Sequence, residues 1–231
     1  MDVNDLITTL VPGRSFADLG GLWGTVNERI TPALRAGCAS ATMIDEQTAG
    51  NYLWQAFDSH CAAQGLTGYA SICGNLDDPA LPAQVGKFDV LHCSGVIYHC
   101  PSPYYSLQQL RRMTGQHLLL GSMIVPEKLS NAAGSLDFSE GRMIAVPAMR
   151  GTAQAVVRRH FDDFGLVATK INFEDGSGWF NAEGTAQYGP WWWLFTVETL
   201  AAMAEAAGFI VRATWEHWEG RAYYLHCEVP A

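Results

Sequence analysis

The sequence predicts an α/β fold, a mostly parallel sheet with helices on both faces. Short apolar runs alternate with segments of helical apolar spacing through the first half of the chain, and a late helix is followed by two more strand-like runs. With 231 residues, 48% of them hydrophobic, the chain has ample material for a large core. One domain over residues 1–231 is therefore expected, and no internal repeat or low-complexity linker argues for a boundary.

Residues 15–19 end a short buried strand, and Gly20 to Gly24 form a turn that releases the chain into a helix over 25–36. A second strand covers 39–44. Leu53, Ala56, Phe57 and Cys61 give 48–64 a helical period, and 68–73 reads as a third strand. A stronger strand spans 87–94, a helix 104–113 with Leu107 and Leu110 inward, and another strand 117–124. This recurrence is what calls for parallel pairing under helices.

Past Pro126 the alternation loosens. Residues 127–193 carry Gly, Asn, Pro and many aromatics, with a charged helical patch over 156–164, and read as an aromatic-rich, substrate-side insertion or cap. A clear helix over 196–207 follows, capped by Thr196 or Thr199 and ended by Gly208. Strands over 209–215 and 221–229 close the sheet.

Fourteen Lys plus Arg against twenty-three Asp plus Glu give a net charge of −9, which opposes nonspecific attraction to nucleic acid or anionic lipid. The N-terminus lacks a basic start followed by an apolar run, and no later apolar run is long enough to cross a bilayer. Cytoplasmic residence without membrane association is the expectation. Six cysteines without a CxxC pair predict reduced, mostly buried thiols.

The sharpest constellation is Phe16-Ala17-Asp18-Leu19-Gly20-Gly21-Leu22-Trp23-Gly24. Glycines at a strand end permit close ligand approach, and the next helix offers free N–H groups. The spacing is not that of the dinucleotide GxGxxG motif. Asp45 at the end of the next strand supplies a carboxylate able to accept both hydroxyls of a ribose.

With these residues the chain resembles the class I S-adenosylmethionine-dependent methyltransferases. Asp18 through Gly24 match the glycine-rich first motif, although Leu22 stands where a glycine is usual, and Asp45 matches the ribose-binding acid. Gly74-Asn75-Leu76-Asp77 resembles the segment beside adenine. There Asn75 holds a position that is often acidic, and Asp77 is the alternative for the amino-group contact. Residues 87–99, Lys-Phe-Asp-Val-Leu-His-Cys-Ser-Gly-Val-Ile-Tyr-His, resemble the fourth motif of small-molecule and some wobble-uridine tRNA methyltransferases. The resemblance implies a Rossmann-like, seven-stranded sheet and S-adenosylmethionine as cofactor. It implies cofactor contacts from Asp18, Gly20, Gly21, Gly24, Asp45, Asn75, Leu76, Asp77, Cys93 and Ser94. Asp18 either attracts the cationic amino-acid end or organises the glycine loop.

Methyl transfer needs an acceptor lone pair opposite the departing thioether, so positioning and exclusion of water carry much of the catalysis. His99 is the leading base or acceptor-orienting residue, with capping of the turn before Pro101 as its alternative role. His92, inside an apolar strand, reads as a satisfied core or ribose-side residue. Tyr98, Trp179, Tyr188 and the Trp191-Trp192-Trp193 run supply aromatic faces for an acceptor. Three adjacent tryptophans cannot all face inward on a regular strand, so at least one is expected to line a cleft. Asp162-Asp163, Glu174-Asp175 and His160 lack a recurring ligand geometry and read as a polar face, so Mg2+ is left open without a motif that specifies it.

The expected activity is methylation of a small molecule, with hydroxyl oxygen favoured because the site offers a weak neutral base. A tRNA-modifying enzyme is the runner-up, which Asn75 and the net charge of −9 do not support. A noncatalytic cofactor-binding scaffold is third. The aromatic excursion also offers a surface for a homodimer.

Overall fold

Each apolar run in the first half of the chain is followed by a helix that returns it to the same sheet edge, and this geometry forces parallel pairing. The computed structural model describes residues 2–22, 28–165 and 189–230. Five parallel strands form the centre: β1 (Ser15–Leu19), β2 (Ser40–Asp45), β3 (Tyr69–Cys73), β4 (Phe88–Ser94) and β5 (Thr114–Met123). The last two strands, β10 (Ile210–His217) and β11 (Ala222–Glu228), complete a seven-stranded sheet of order β10-β11-β5-β4-β1-β2-β3. Only β11 runs against its neighbours. The expected Rossmann-like, mostly parallel sheet is the observed one.

Strand alternation divides the core between the two faces. In β4, Val90 packs on the side of α1 (Val3–Leu10), α2 (Ile30–Arg35) and α3 (Tyr52–Ala63), whereas Leu91 and Cys93 pack on the other. That second side is covered by α4 (Leu81–Val85), α5 (Pro103–Met113) and α7 (Val197–Ala206). Side chains cap three of the helices. Asp2 accepts from the Asn4 N–H, Asn51 from Leu53 and Trp54, and Thr196 from Thr199.

Helix α2 begins at Ile30, five residues later than its apolar spacing suggests, and residues 23–27 lie outside the described set. Sequence reading does not anticipate α1 or α4, because helices this short are marginal until packing holds them. It also misses the strand pairs after β5. These are β6 (Lys128–Asn131) with β7 (Gly134–Asp137), and β8 (Met143–Ala145) with β9 (Trp193–Phe195). Between β8 and β9, α6 (Gly151–Asp163) adds Val156, Val157 and Phe161 to a core shared with Phe138 and Trp191. Four of the six thiols are buried, and Cys73 is exposed. Among the described residues, no helix is long and apolar enough to cross a membrane.

Candidate active site

The carboxyl ends of the parallel strands open onto a cleft of about 910 Å3. It lies at the point where β1 is flanked by β2 on one side and β4 on the other, and the chain leaves the sheet in opposite directions. At the end of β1, Gly20 adopts φ +81°, and its N–H donates to Ile44 O at 2.8 Å. A Cβ at Gly20 would collide with Val96, and one at Gly21 with the Asp18 carboxylate, so the turn accepts no side chain at either position. Both glycines border the cleft.

Asp18 is fully buried beneath this turn and does not border the cleft. Its Oδ2 accepts from the Arg29 N–H at 2.6 Å, and its Oδ1 lies 2.7 Å from His92 Nδ1. The Nε2 of His92 is 3.2 Å from the Tyr224 hydroxyl, which makes a buried polar chain from β1 through β4 to β11. Of the two roles expected for Asp18, loop organisation is the one this geometry serves, and His92 is a satisfied buried histidine with one edge on the cleft.

Asp45 closes β2 at the cleft wall and is 4% exposed. Its Oδ1 accepts from Gln47 N at 3.1 Å and Oδ2 from Leu22 N at 3.4 Å. Burial raises its carboxyl above the ordinary range, and the nearby Asp18 charge adds to this while the backbone donors oppose it. Glu46, raised by burial and then by Asp45 and Asp77, also borders the cleft and accepts from Asn75 Nδ2 at 3.0 Å. Asn75 and Leu76 line the same end, and Ser94 the middle.

Several expected contacts fall elsewhere. Asp77 does not border the cleft, because its carboxylate accepts from the Ser106 hydroxyl of α5. Cys93 points into the core on the α5 side, where burial pushes its thiol well up and keeps it a neutral packing group. The odd position of Cys93 along β4 turns it away from the face that carries His92. Gly24, Trp179, Tyr188, Glu174 and Asp175 lie outside the described residues.

A 3-10 turn over Ile97–His99 follows β4 and places Tyr98 and His99 on the opposite cleft wall. His99 Nδ1 is 2.9 Å from Pro190 O. Because a carbonyl can only accept, this contact puts a proton on Nδ1, and in the neutral ring the lone pair is then on Nε2. Tyr98 packs edge-on against Trp191 with ring centroids 4.9 Å apart, and Trp191 meets His99 at 6.4 Å. Of the three adjacent tryptophans, Trp191 borders the cleft. Trp192 and Trp193 do not: the Trp192 N–H donates to Tyr98 O at 2.8 Å and Trp193 Nε1 to Pro101 O at 3.0 Å, so both anchor the segment. The Asp163 of the expected polar face pairs with Arg159 at 2.8 Å along α6.

Sequence reasoning missed Arg29, Tyr224 and His217, all on the cleft wall. Arg29 is 8% exposed, its Nη1 donates to Glu28 O at 3.2 Å, and its Nε has no hydrogen-bond partner among the described residues. Burial raises the Tyr224 hydroxyl, an effect that Ser94 and the Arg29 charge partly offset, while burial and then Arg29 lower His217. Arg29 had one local signal, its place just after the glycine turn. The other two had none.

No family model matches the chain. The tRNA U34 carboxymethyltransferase of Campylobacter concisus (strain 13826) is 29% identical over 116 residues, covering 47% of this chain and 40% of that protein. The chain thus spans less than half the length of this curated relative. Among solved structures, an O-methyltransferase family protein from Burkholderia thailandensis aligns with a TM-score of 0.61 at 15% identity, over 98% of this chain and 55% of the other. The magnesium protoporphyrin IX methyltransferase from Synechocystis PCC 6803 with bound S-adenosylhomocysteine aligns at 0.56 and 13%, over 99% and 81%. The mitomycin 7-O-methyltransferase aligns at 0.56 and 13%, over 98% and 53%. Strand order, the glycine turn over Asp18 and these alignments agree, and the chain has the fold of the class I S-adenosylmethionine-dependent methyltransferases.

Proposed function

We propose that the protein transfers a methyl group from S-adenosylmethionine to a hydroxyl oxygen of a small-molecule acceptor. The observation that carries this reading is one cleft bordered at once by the Gly20-Gly21 turn, Asp45 and His99. The residues present suit the cofactor. Asp45 offers carboxylate oxygens to a ribose diol, and Asn75 with Leu76 offers an amide and an apolar edge to adenine. The buried Nε of Arg29, without a hydrogen-bond partner among the described residues, suits the carboxylate of an amino-acid end, since a buried donor left unmatched is costly. When bound, the cofactor supplies a methyl group activated by its sulfonium charge.

The chain's own residues then have three tasks. His99 Nε2 takes the acceptor's hydroxyl proton as the oxygen's lone pair attacks. Tyr98 and Trp191 confine the acceptor and keep water away. Trp192 and Trp193 hold that wall in place through their contacts with Tyr98 and Pro101. We read residues 127–193 as the substrate-side insertion of a single domain, a reading supported by the packing of Phe161 of α6 against Trp191, with ring centroids 5.0 Å apart.

A second reading, methylation or a related transfer on tRNA, is favoured by the Campylobacter relative and opposed by the net charge of −9. One mass-spectrometric experiment tests both. The chain and S-adenosylmethionine are incubated with hydroxylated metabolites and with bulk tRNA in parallel, each with and without Mg2+. A gain of one CH2 on a metabolite is expected, and a gain confined to tRNA would replace this proposal with the second reading.

Asp45→Asn is expected to weaken S-adenosylhomocysteine binding roughly 100-fold, since two hydrogen bonds to a charged group are worth about 3 kcal/mol together. Calorimetry would measure it, and an unchanged Kd would remove Asp45 from cofactor recognition. In the parent chain the same contact carries a pH signature. The anionic carboxylate is the better acceptor, so affinity is full at neutral pH and falls as acidification protonates Asp45. Because burial raises this carboxyl, the loss sets in at a higher pH than for a solvent-exposed aspartate.

A further inference from the structure

At the end of the strands opposite the cleft, the register of β5 and β11 brings three metal-binding side chains together. His117 lies directly across from Glu228, and His226, two residues earlier on β11, shares its face. The Nε2 of His226 is 3.1 Å from Nδ1 of His117, which is 3.8 Å from Oε1 of Glu228. All three ligand atoms fall within 4.8 Å of one another.

We propose that His117, His226 and Glu228 form a binding site for a zinc ion. Ligand atoms about 2.0–2.1 Å from a tetrahedral zinc stand about 3.3 Å from each other, close to the spacing already present. Two imidazole nitrogens and one carboxylate suit a borderline transition metal, and the set is a poor one for Mg2+, which prefers oxygen ligands. Burial lowers both imidazoles and so favours the neutral form that a metal requires, while the Arg212 contact keeps Glu228 anionic. Arg212 and Arg14 are the cations facing the site. Arg212 engages Oε2 at 2.7 Å and leaves Oε1 turned toward His117, and its own half-exposed position screens its charge.

Three protein ligands leave a fourth position for water. The location argues against a part in methyl transfer. His117 precedes the cleft residue Gly121 by four positions, about 13 Å along the strand. A metal here fastens β11 to β5, the pair whose other end carries Tyr224 and Gly121 into the cleft wall.

The test uses the tag-free chain, stripped with chelator, mixed with zinc chloride and desalted. One zinc per chain is expected by elemental mass spectrometry, with a Tm increase of roughly 5 °C or more at zinc near 100 times its Kd. Cobalt is expected to give a visible d–d spectrum without a thiolate charge-transfer band. His226→Gln and Glu228→Gln should each abolish retention, while His60→Gln, far from the cluster, keeps it. Absence of bound zinc, a thiolate band that points to a cysteine, or retention untouched by both variants would overturn the site. Should either variant misfold by far-UV circular dichroism, imidazole nitrogen spectra of the parent decide: zinc must shift His117 and His226, and unchanged resonances overturn the proposal.

Discussion

Replacing His99 with alanine should lower turnover on the acceptor by about 10²- to 10⁴-fold, the usual contribution of a positioned general base, while leaving S-adenosylhomocysteine affinity unchanged. The ring is fixed from both sides. Its Nδ1 contacts Pro190 O at 2.9 Å, Tyr98 packs against it at a centroid distance of 4.3 Å, and Trp191 stands edge-on. A base must be held in one tautomer at one orientation, and those contacts supply both constraints. The proposed cofactor contacts lie on other elements, in the β1 turn and at the end of β2, so the loss belongs in kcat. Rapid-quench measurement on the acceptor found by the mass screen would check this. An unchanged kcat would take proton transfer away from His99.

Asp18→Ala is expected to destabilise the fold by about 3–5 kcal/mol, because it removes one partner of a fully buried polar pair. Two groups lose their partner at once, His92 Nδ1 and the Arg29 N–H, and both belong to buried residues. The carboxylate also fills the space beneath Gly21, so its removal leaves a hole under the turn. For a chain of 231 residues this corresponds to a Tm drop of roughly 10 °C, readable by calorimetry. Asp18→Asn, which keeps the shape and one acceptor oxygen, should lose less. Combining Asp18→Ala with His92→Leu should recover part of the loss, and that coupling energy isolates the pair. A Tm equal to the parent's in Asp18→Ala would mean that the buried chain from β1 to β11 does not hold the strands together.

Much of this fold is legible in the sequence because its signals are local. Strands β4 and β5 are visible in the sequence as short apolar runs, Val90-Leu91-His92-Cys93 and Leu118-Leu119-Leu120, and the structure splits their apolar residues between two core faces. The glycine turn and Asp45 are likewise local, since a strand end followed by glycines or an acid needs no distant partner to be recognised. Helix α1 was within reach too. Asp2 caps it, and Val3 and Ile7 are its buried residues, but eight residues are too few for helical spacing to stand out.

Other features depend on partners far along the chain. His92 and Tyr224 are 132 residues apart, and they meet because β11 inserts between β5 and β10 against the running direction of the sheet. The sequence by itself determined the α/β class, the strand succession and the residues at the strand ends, because apolar period and turn chemistry act within a few positions of each other. Only the tertiary structure decided that Asp18 lies under the turn, that Cys93 and Asp77 turn away from the cleft, and that Arg29 and Tyr224 join its wall. The physical reason is that local pattern sets which way a side chain alternates, whereas packing between distant segments sets what lies on each side.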